Sequence, residues 1–226
     1  MARTDEASTS YDTATVGDVR APADLGATVL VTGPTLSNKD AVAFDLFGDG
    51  WTDARPFAIT ATDPAAAFRD RLRPYVPAGR RAEDVYVIDC LEVSNSTDSD
   101  DPHTHGVGTP ADLTGIGIAL SKGYERYGTG QRRVLLDNLA TLLVYSDIDR
   151  VYRFVDVVTS RLTDLGNTSV HLLDGDTVEG TDRNKLIQLF SAVIEVRSEG
   201  DTTLFRVRDG TGASEWYEHT FRGEGR

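Results

Sequence analysis

Short apolar runs alternate with segments of helical periodicity from residue 27 to about residue 190. A short apolar run that ends at a glycine or a polar residue is typical of a strand buried on both faces of a parallel sheet. Runs of this kind predict strands at 27–33, 56–60, 85–90, 133–137 and 169–173.

The segments between these runs carry apolar residues three or four positions apart, which is the spacing of one helix face. Helices are predicted at 38–47, 63–72, 113–127, 148–165 and 182–190. Strands and helices that alternate in this way call for a parallel sheet covered by helices on both faces. The pattern changes after residue 190, where 193–196, 203–207 and 216–221 predict an antiparallel C-terminal extension.

The ends of the chain and one internal segment lack such periodicity. Residues 1–23 are rich in threonine, serine, aspartate and alanine, which predicts a mobile N-terminal tail with one short turn. Residues 24–226 then form one domain of ordinary size. The polar segment 94–108 predicts a loop. No apolar run reaches the roughly 18 residues of a membrane helix, and no signal peptide is evident, so we expect a cytoplasmic protein that contacts no membrane.

The amino-acid composition indicates the salt conditions to which the protein is adapted and argues against some binding partners. The net charge is −13, with 36 acidic and 23 basic residues, and only 3 of the basic residues are lysine. This balance is typical of proteins adapted to molar salt, in which self-repulsion is screened. It argues against general binding to duplex DNA, which needs a basic surface. A single cysteine, Cys90, excludes an internal disulfide and a cysteine-based zinc site.

The link between the first predicted strand and helix matches part of the phosphate-loop template G-x-x-x-x-G-K-[ST]. In that template, backbone N–H groups, a helix N-terminus and a lysine hold phosphate. Asn38 replaces the second glycine; asparagine tolerates positive φ, so the loop can keep its shape. The candidate nucleotide-binding residues are Gly33, Pro34, Thr35, Leu36, Ser37, Asn38, Lys39 and Asp40.

Asp40 replaces the hydroxyl residue of the template, and three interpretations of it remain open. Its carboxylate could ligate Mg²⁺, repel the phosphates, or accept N–H groups at the helix N-terminus and fill part of the anion site. The alternative for the whole segment is a strand-to-helix turn with an exposed Lys39.

A second candidate metal ligand lies about 100 residues further along the chain. The strand 133–137 is apolar and ends in Asp137, which is the arrangement that holds Mg²⁺ in P-loop ATPases. Asp40 and Asp137 are therefore the predicted metal ligands. The alternative for Asp137 is a strand-end residue that caps a turn.

Together these segments resemble the RecA-like ATPases of the KaiC group, over roughly residues 20–210. The resemblance rests on 29–47, 57–64, 134–143, 165–173 and 192–208. It implies a RecA-like P-loop fold of three layers, with ATP and magnesium as ligands. The composition is similar to that of the acidic, degenerate members of the group that haloarchaea encode. In this group, cationic residues near the last strands reach a neighbour's nucleotide, a role implied for Arg206 and Arg208 in a homo-oligomer; a surface strand face is the alternative.

The chain departs from the active members of this group after the second strand. Where those have a glutamate pair that polarises the attacking water, this chain has Ala61 and Thr62. Loss of such a base typically lowers a rate by about 10²–10⁴. Asp63 and Asp89 are the remaining catalytic candidates, although a turn-capping role is favoured for Asp89.

Two other patterns are interpreted as structural. The histidines and aspartates of the polar loop are favoured as solvated residues rather than metal ligands; they are Asp98, Asp100, Asp101, His103 and His105. Gly115 and Gly117 lie inside a predicted helix and lack the third glycine of a dinucleotide-binding loop.

Three functions follow from these observations. The first is a regulatory or signalling protein whose KaiC/RecA-like domain binds nucleotide weakly or not at all, hydrolyses it slowly at best and works through a protein partner. The second is an active ATPase in which Asp40 binds Mg²⁺ and Asp63 or Asp89 positions water. The third is an interaction module that has lost its ligand.

Overall fold

A computed structural model describes residues 11–20, 27–49, 51, 55–91 and 101–221 of the chain. Its helices and strands are β1 (Thr13–Ala14), α1 (Val16–Val19), β2 (Thr28–Gly33), α2 (Lys39–Asp49), β3 (Phe57–Thr60), α3 (Ala65–Leu72), β4 (Tyr86–Asp89), β5 (Thr104–Gly106), α4 (Leu113–Tyr127), β6 (Arg133–Asp137), α5 (Leu139–Tyr145), α6 (Ile148–Asp164), β7 (Thr168–Asp174), α7 (Gly180–Ile187), β8 (Ala192–Glu199), β9 (Thr202–Asp209), β10 (Gly212–Ala213) and β11 (Tyr217–His219).

The strands form one sheet in the order β1-β11-β9-β8-β2-β7-β6-β3-β4-β5, with β10 beside β9. All neighbours from β8 to β5 are parallel. β9 pairs antiparallel with both β8 and β11. The predicted α/β class, with a mostly parallel sheet and an antiparallel C-terminal extension, is confirmed.

Two apolar cores lie on opposite faces of this sheet. Successive residues of β2 show why: Leu30 packs in the core beneath α4 and α6, whereas Val29 and Val31 pack in the core beneath α2 and α3. Side chains of a strand alternate between faces, so an entirely apolar strand needs a cover on each side. The result is the predicted arrangement of three layers.

The register of the parallel strands brings several polar residues to one edge of the sheet. Gly33 at the end of β2 is paired with Asp174 at the end of β7. Thr60 at the end of β3 is paired with Asp137 on one side and with Asp89 on the other. Ligands of open α/β sheets bind at this carboxyl edge, so the candidate site lies here.

Residues 11–20 are packed against the domain, although the sequence predicts a tail there. β1 adds a strand parallel to β11, and Val16 of α1 is buried. Thr15 caps α1 by accepting from the backbone N–H of Asp18, whose carboxylate in turn accepts from the N–H of Thr15. The rest of the predicted tail, 1–10 and 21–23, lies outside the described residues.

The polar loop also contains an ordered part. β5 pairs with β4 at the edge of the sheet, so the prediction of a loop over 94–108 is wrong for residues 104–106, which form a strand. The buried Arg69 fixes this segment, because it forms an ion pair with Asp101 at 2.6 Å and donates to the carbonyl oxygen of His103 at 3.2 Å. Residues 94–100 lie outside the described part of the chain.

Among the helices that the structure describes, none combines the length and the apolarity that crossing a membrane requires.

Candidate functional site

The loop between β2 and α2 has special backbone conformations at the two positions where the phosphate-loop template has glycine, Gly33 and Asn38. Gly33 lies so close to β8 that a Cβ atom there would stand 2.3 Å from the carbonyl oxygen of Val196. Asn38 has a φ of 58°, the left-handed conformation that glycine adopts most easily. The Ser37 hydroxyl donates to the carbonyl oxygen of Pro34 at 2.7 Å and closes the turn.

The Lys39 ammonium group is turned into the protein. Lys39 is only 2% exposed, and its Nζ donates to the carbonyl oxygens of Pro34 at 3.1 Å and Thr35 at 3.3 Å. It also forms an ion pair with Asp174, which accepts from Nδ2 of Asn138 at 2.6 Å. The alternative of an exposed lysine is therefore wrong, and the charge of Lys39 is neutralised within the chain.

A second internal cation, Arg71 near the end of α3, lies among three carboxylates. Its Nη2 is 2.7 Å from Oδ2 of Asp40, and its Nη1 is 3.2 Å from Oδ2 of Asp137. The same Nη1 forms an ion pair with Asp63. The guanidinium also lies over the Phe44 ring, 5.1 Å from its centre, so it is held by an aromatic ring as well as by the carboxylates.

Arg71 lies where the sequence predicts Mg²⁺. The two predicted metal ligands, Asp40 and Asp137, bind one guanidinium, an arrangement that none of the three interpretations of Asp40 contains. Among the described residues, no three His, Cys, Asp or Glu side chains have the geometry to hold a metal ion. The residues therefore do not fit Mg²⁺ and a nucleotide as they are arranged, because a guanidinium fills the space between the ligands.

The buried position of Asp137 changes its acid strength. Burial, with help from the nearby Asp40 and Asp63 charges, raises the pKa of Asp137 to about 7, against the opposing effect of Arg71. For Arg71, burial lowers the pKa, but Asp137 and the other two carboxylates outweigh this and raise the pKa above its usual value. Arg71 therefore stays charged, and Asp137 titrates near neutrality.

The charges of the cluster do not favour a polyphosphate. Lys39 and Arg71 supply two positive charges, and the ion pairs place four carboxylates around them: Asp40, Asp63, Asp137 and Asp174. One further carboxylate, that of Asp176, accepts from the backbone N–H of Thr35 at 3.1 Å and from its hydroxyl at 3.0 Å. An incoming phosphate would therefore meet an excess of negative charge.

Asp89, the other catalytic candidate, is separate from this cluster. Its Oδ2 accepts from the backbone N–H of Ala65 at 2.7 Å, and its Oδ1 accepts from that of Leu91 at 2.8 Å. The carboxylate thus caps the first residue of α3 and the turn after β4. This is the structural role that the sequence favours for it.

The other positions that the sequence comparison singled out are two residues after β3 and two arginines on β9. Ala61 is buried and Thr62 is exposed, and neither carries a group that could act as a base. Arg206 and Arg208 both form ion pairs with Glu195 on the neighbouring strand. Their guanidinium groups are therefore engaged within their own chain.

The structure describes both histidines of the polar loop, His103 and His105. His103 contacts the Tyr127 hydroxyl through its Nδ1 at 2.8 Å. His105 lies on the short edge strand β5. Asp98 and Asp100, which the sequence pattern places with them, lie outside the described residues.

Sequence reasoning missed the partners that define this site: Arg71, Asp174 and Asn138. Asp174 carries the same signal as Asp137, since each is an aspartate at the carboxyl end of an apolar strand. Arg71 carries no comparable signal, since it lies eight residues after Asp63, beyond the three or four residues over which helix side chains pair. Only the fold shows that Arg71 also meets Asp40 and Asp137.

Asp137→Asn is expected to remove a pH dependence of stability. With a folded-state pKa of about 7 against a usual 3.8, folded Asp137 holds its proton over a range in which the unfolded chain has lost it. Its contribution is therefore fully present below pH 4 and is lost as the pH rises through 7. At about 1.4 kcal/mol per pKa unit, the loss is on the order of 2–4 kcal/mol.

Denaturant unfolding at pH 5 and pH 8 measures this effect. As the pH rises from 5 to 8, wild type should lose the contribution of Asp137, which the variant lacks at both pH values. The free energy of unfolding of the variant should therefore rise relative to that of wild type. The buried His171 and His219 titrate in both proteins, so their contributions cancel in the difference. A difference that stays constant from pH 5 to pH 8 would show that Asp137 is not perturbed.

Comparison with known proteins places the chain in a family. Residues 26–196 match a family of unknown function, DUF7504, and the chain belongs to it. Among curated proteins, no sequence matches the chain.

Two similar solved structures are both from the archaeon Pyrococcus horikoshii. One is a KaiC-like protein, 12% identical, which aligns over 86% of each chain with a TM-score of 0.60. The other is an uncharacterised protein in complex with an unknown peptide, 9% identical, which aligns over 81% of this chain and 83% of its own with a TM-score of 0.57. At these identities the likeness shows the fold alone, and it confirms the predicted KaiC/RecA-like fold.

Proposed function

We propose that this chain is a RecA-like domain in which an internal ion network replaces Mg²⁺ and nucleotide, and that it acts as a regulatory or scaffolding protein through contacts with other proteins. One observation carries the proposal: the Arg71 guanidinium bridges Asp40 and Asp137. These are the two positions that would ligate the metal in the fold it resembles.

The energetics of the network support this proposal. Mg²⁺ would have to displace Arg71, and a phosphate would have to draw Lys39 away from the Asp174 carboxylate and two carbonyl oxygens. Drawing the buried Lys39 away leaves the Asp174 carboxylate without its cation, and loss of one member of a buried ion pair costs several kcal/mol. A phosphate would have to offset this cost before any net binding.

The proposal also accounts for the absence of a base after β3. Ala61 and Thr62 stand where the resembled ATPases have glutamates. Asp63 is paired with Arg71, and Asp89 caps α3. Neither carboxylate is placed to take a proton from water without breaking these contacts.

A working ATPase is the second candidate, and the backbone of the loop favours it. Gly33 stands at the first glycine of the phosphate-loop template, and Asn38 has the positive φ that the second glycine would adopt. The close approach of β2 to β8 also requires Gly33, so this glycine does not by itself indicate a ligand.

Calorimetric titration with Mg²⁺-ATP and Mg²⁺-ADP at molar KCl tests the proposal. Wild type should give no saturable heat that depends on Lys39. The control is Lys39→Met, which keeps the apolar stem and removes the charge; its circular dichroism shows whether it is folded. Saturable, magnesium-dependent binding by wild type that Lys39→Met abolishes would establish a nucleotide site and overturn the proposal.

A further inference from the structure

A cleft of about 520 Å³ lies beside the ion network, between α5, the start of α6 and the loop from β7 to α7. The apolar part of its lining consists of Ala140, Leu143, Val144, Ile148 and Val178. Asp174, the partner of Lys39, forms part of its wall. The cleft therefore adjoins the carboxyl edge of the sheet, where the ion network lies.

One lip of the cleft is an exposed apolar surface. Val144 at the end of α5 is 79% exposed, and the adjacent Tyr145 is 52% exposed. The same helix buries Leu139 and Leu142 completely on its other side, so packing of the core does not require apolar residues on the outer side. Exposed apolar residues beside an apolar cleft are typical of an interaction site.

The rest of the rim is acidic. Asp147, Asp174, Glu179 and Asp182 line the cleft, and no lysine or arginine does. Asp147 caps α6 by accepting from the backbone N–H of Arg150 at 2.9 Å, and Asp174 is paired with Lys39. No ion pair in the described part of the chain involves Glu179 or Asp182, so their charges remain available to a ligand.

We propose that this cleft binds a basic segment of a partner protein, with one aliphatic side chain in the cleft and a lysine or arginine beside it. The proposal rests on the proposed function, because it names the class of partner through which the domain would act. The aliphatic group would contact Val144 and the other apolar residues of the lining, and the cation would contact Glu179 or Asp182.

Charge complementarity favours this occupant over the others. A second copy of the chain would bring a surface with 36 acidic and 23 basic residues to an acidic rim. Nucleic acid would bring phosphates to the same carboxylates. At about 1 M salt the Debye length is near 3 Å, so only ion pairs in direct contact survive. The apolar contact does not depend on such screening.

Fluorescence anisotropy with designed probes tests the proposal at molar KCl. The probe is a fluorescein-labelled peptide in which two leucines are flanked by lysines. Matched peptides carry glutamate for lysine, or serine for leucine. Wild type should bind the lysine–leucine peptide at least tenfold more tightly than either matched peptide.

Paired variants locate the binding. Val144→Ser and the double variant Glu179→Gln/Asp182→Asn should each weaken binding at least fivefold. Val157→Ser, also at an exposed valine, and Asp70→Asn, at an exposed aspartate, are controls and should not change it. Equal binding by Val144→Ser and Val157→Ser, no binding by wild type, or self-association of wild type in sedimentation would each overturn the proposal.

A repeat of the assay with Mg²⁺-ATP separates this proposal from the proposed function. If wild type binds neither the lysine–leucine peptide nor nucleotide, the proposal for the cleft is contradicted and the proposed function is not. Specific binding that Mg²⁺-ATP changes through Lys39 supports the cleft and contradicts the nucleotide-free function.

Discussion

Arg71→Met is expected to lower the free energy of unfolding by about 2–4 kcal/mol at pH 8, and the melting temperature by roughly 5–15 °C. The guanidinium compensates Asp137, whose side chain is 3% exposed, together with Asp40 and Asp63. Without it, three carboxylates face one another, and Lys39, 3.9 Å from Asp40, is the cation that remains beside them. The figure lies below the 3–5 kcal/mol of a fully buried pair, because Arg71 is 31% exposed. Methionine has an unbranched apolar side chain without the charge, so the substitution removes the guanidinium and its contact with the Phe44 ring.

Arg73→Met is the matched control, two residues further along. Arg73 forms ion pairs with Asp70 and Glu83, but its side chain is 56% exposed. Exposed pairs contribute little, and the melting temperature should stay close to that of wild type. If both variants melt at the same temperature as wild type, Arg71 does not hold the site together.

The second large expected effect is loss of cooperative unfolding when salt is removed. The chain carries 36 acidic and 23 basic residues, and the candidate site and the acidic cleft each concentrate carboxylates. At about 0.1 M salt the Debye length is about 10 Å, which allows these charges to repel one another across the surface; at 1 M it is about 3 Å. We expect a sharp thermal transition at molar KCl and a lost or strongly lowered one at 0.1 M.

Far-UV circular dichroism during heating measures this transition. Sucrose at the osmolality of molar KCl is the control, because it stabilises folded proteins without screening charge. Recovery in KCl but not in sucrose identifies screening as the cause. A melting temperature that is the same at 0.1 M and 1 M KCl would contradict adaptation to high salt.

The fold was accessible from the sequence because its main signal is local. Each central strand is buried on both faces, so a run such as Val29–Val31 is apolar throughout, and each helix buries one stripe of its surface. The alternation of these two patterns constrains the topology strongly. The hairpin of β8 and β9 was found in the same way.

The edges of the sheet were harder to predict, since they rest on few residues. β1 and β5 contain two and three residues, too few to show a period of two. These two strands are held in place by residues far away in the chain. Thr13 pairs with Glu218, and Arg69 contacts Asp101. Polar composition alone therefore suggested a tail and a loop.

The candidate site could be predicted only in part. The positive φ of Asn38 follows from the loop template, and Asp137 follows from its strand. The pairing of Lys39 with Asp174 joins residues 135 positions apart in the chain, and that of Arg71 with Asp137 joins residues 66 apart. The spacing of residues along the chain cannot show that a cation on a helix reaches a carboxylate on a distant strand.

The central claim is that Arg71 takes the place of the metal ion. Mn²⁺ binding, followed by electron paramagnetic resonance at constant ionic strength, tests it most directly. Arg71→Ala opens the space beside Asp40, Asp63 and Asp137, and one or two carboxylates with waters suffice to hold such an ion. We expect only weak, nonspecific Mn²⁺ binding by wild type and one specific site in Arg71→Ala, at least tenfold tighter than that background and lost again in Arg71→Ala/Asp137→Asn. Equal binding of one Mn²⁺ ion by wild type and Arg71→Ala would contradict the claim.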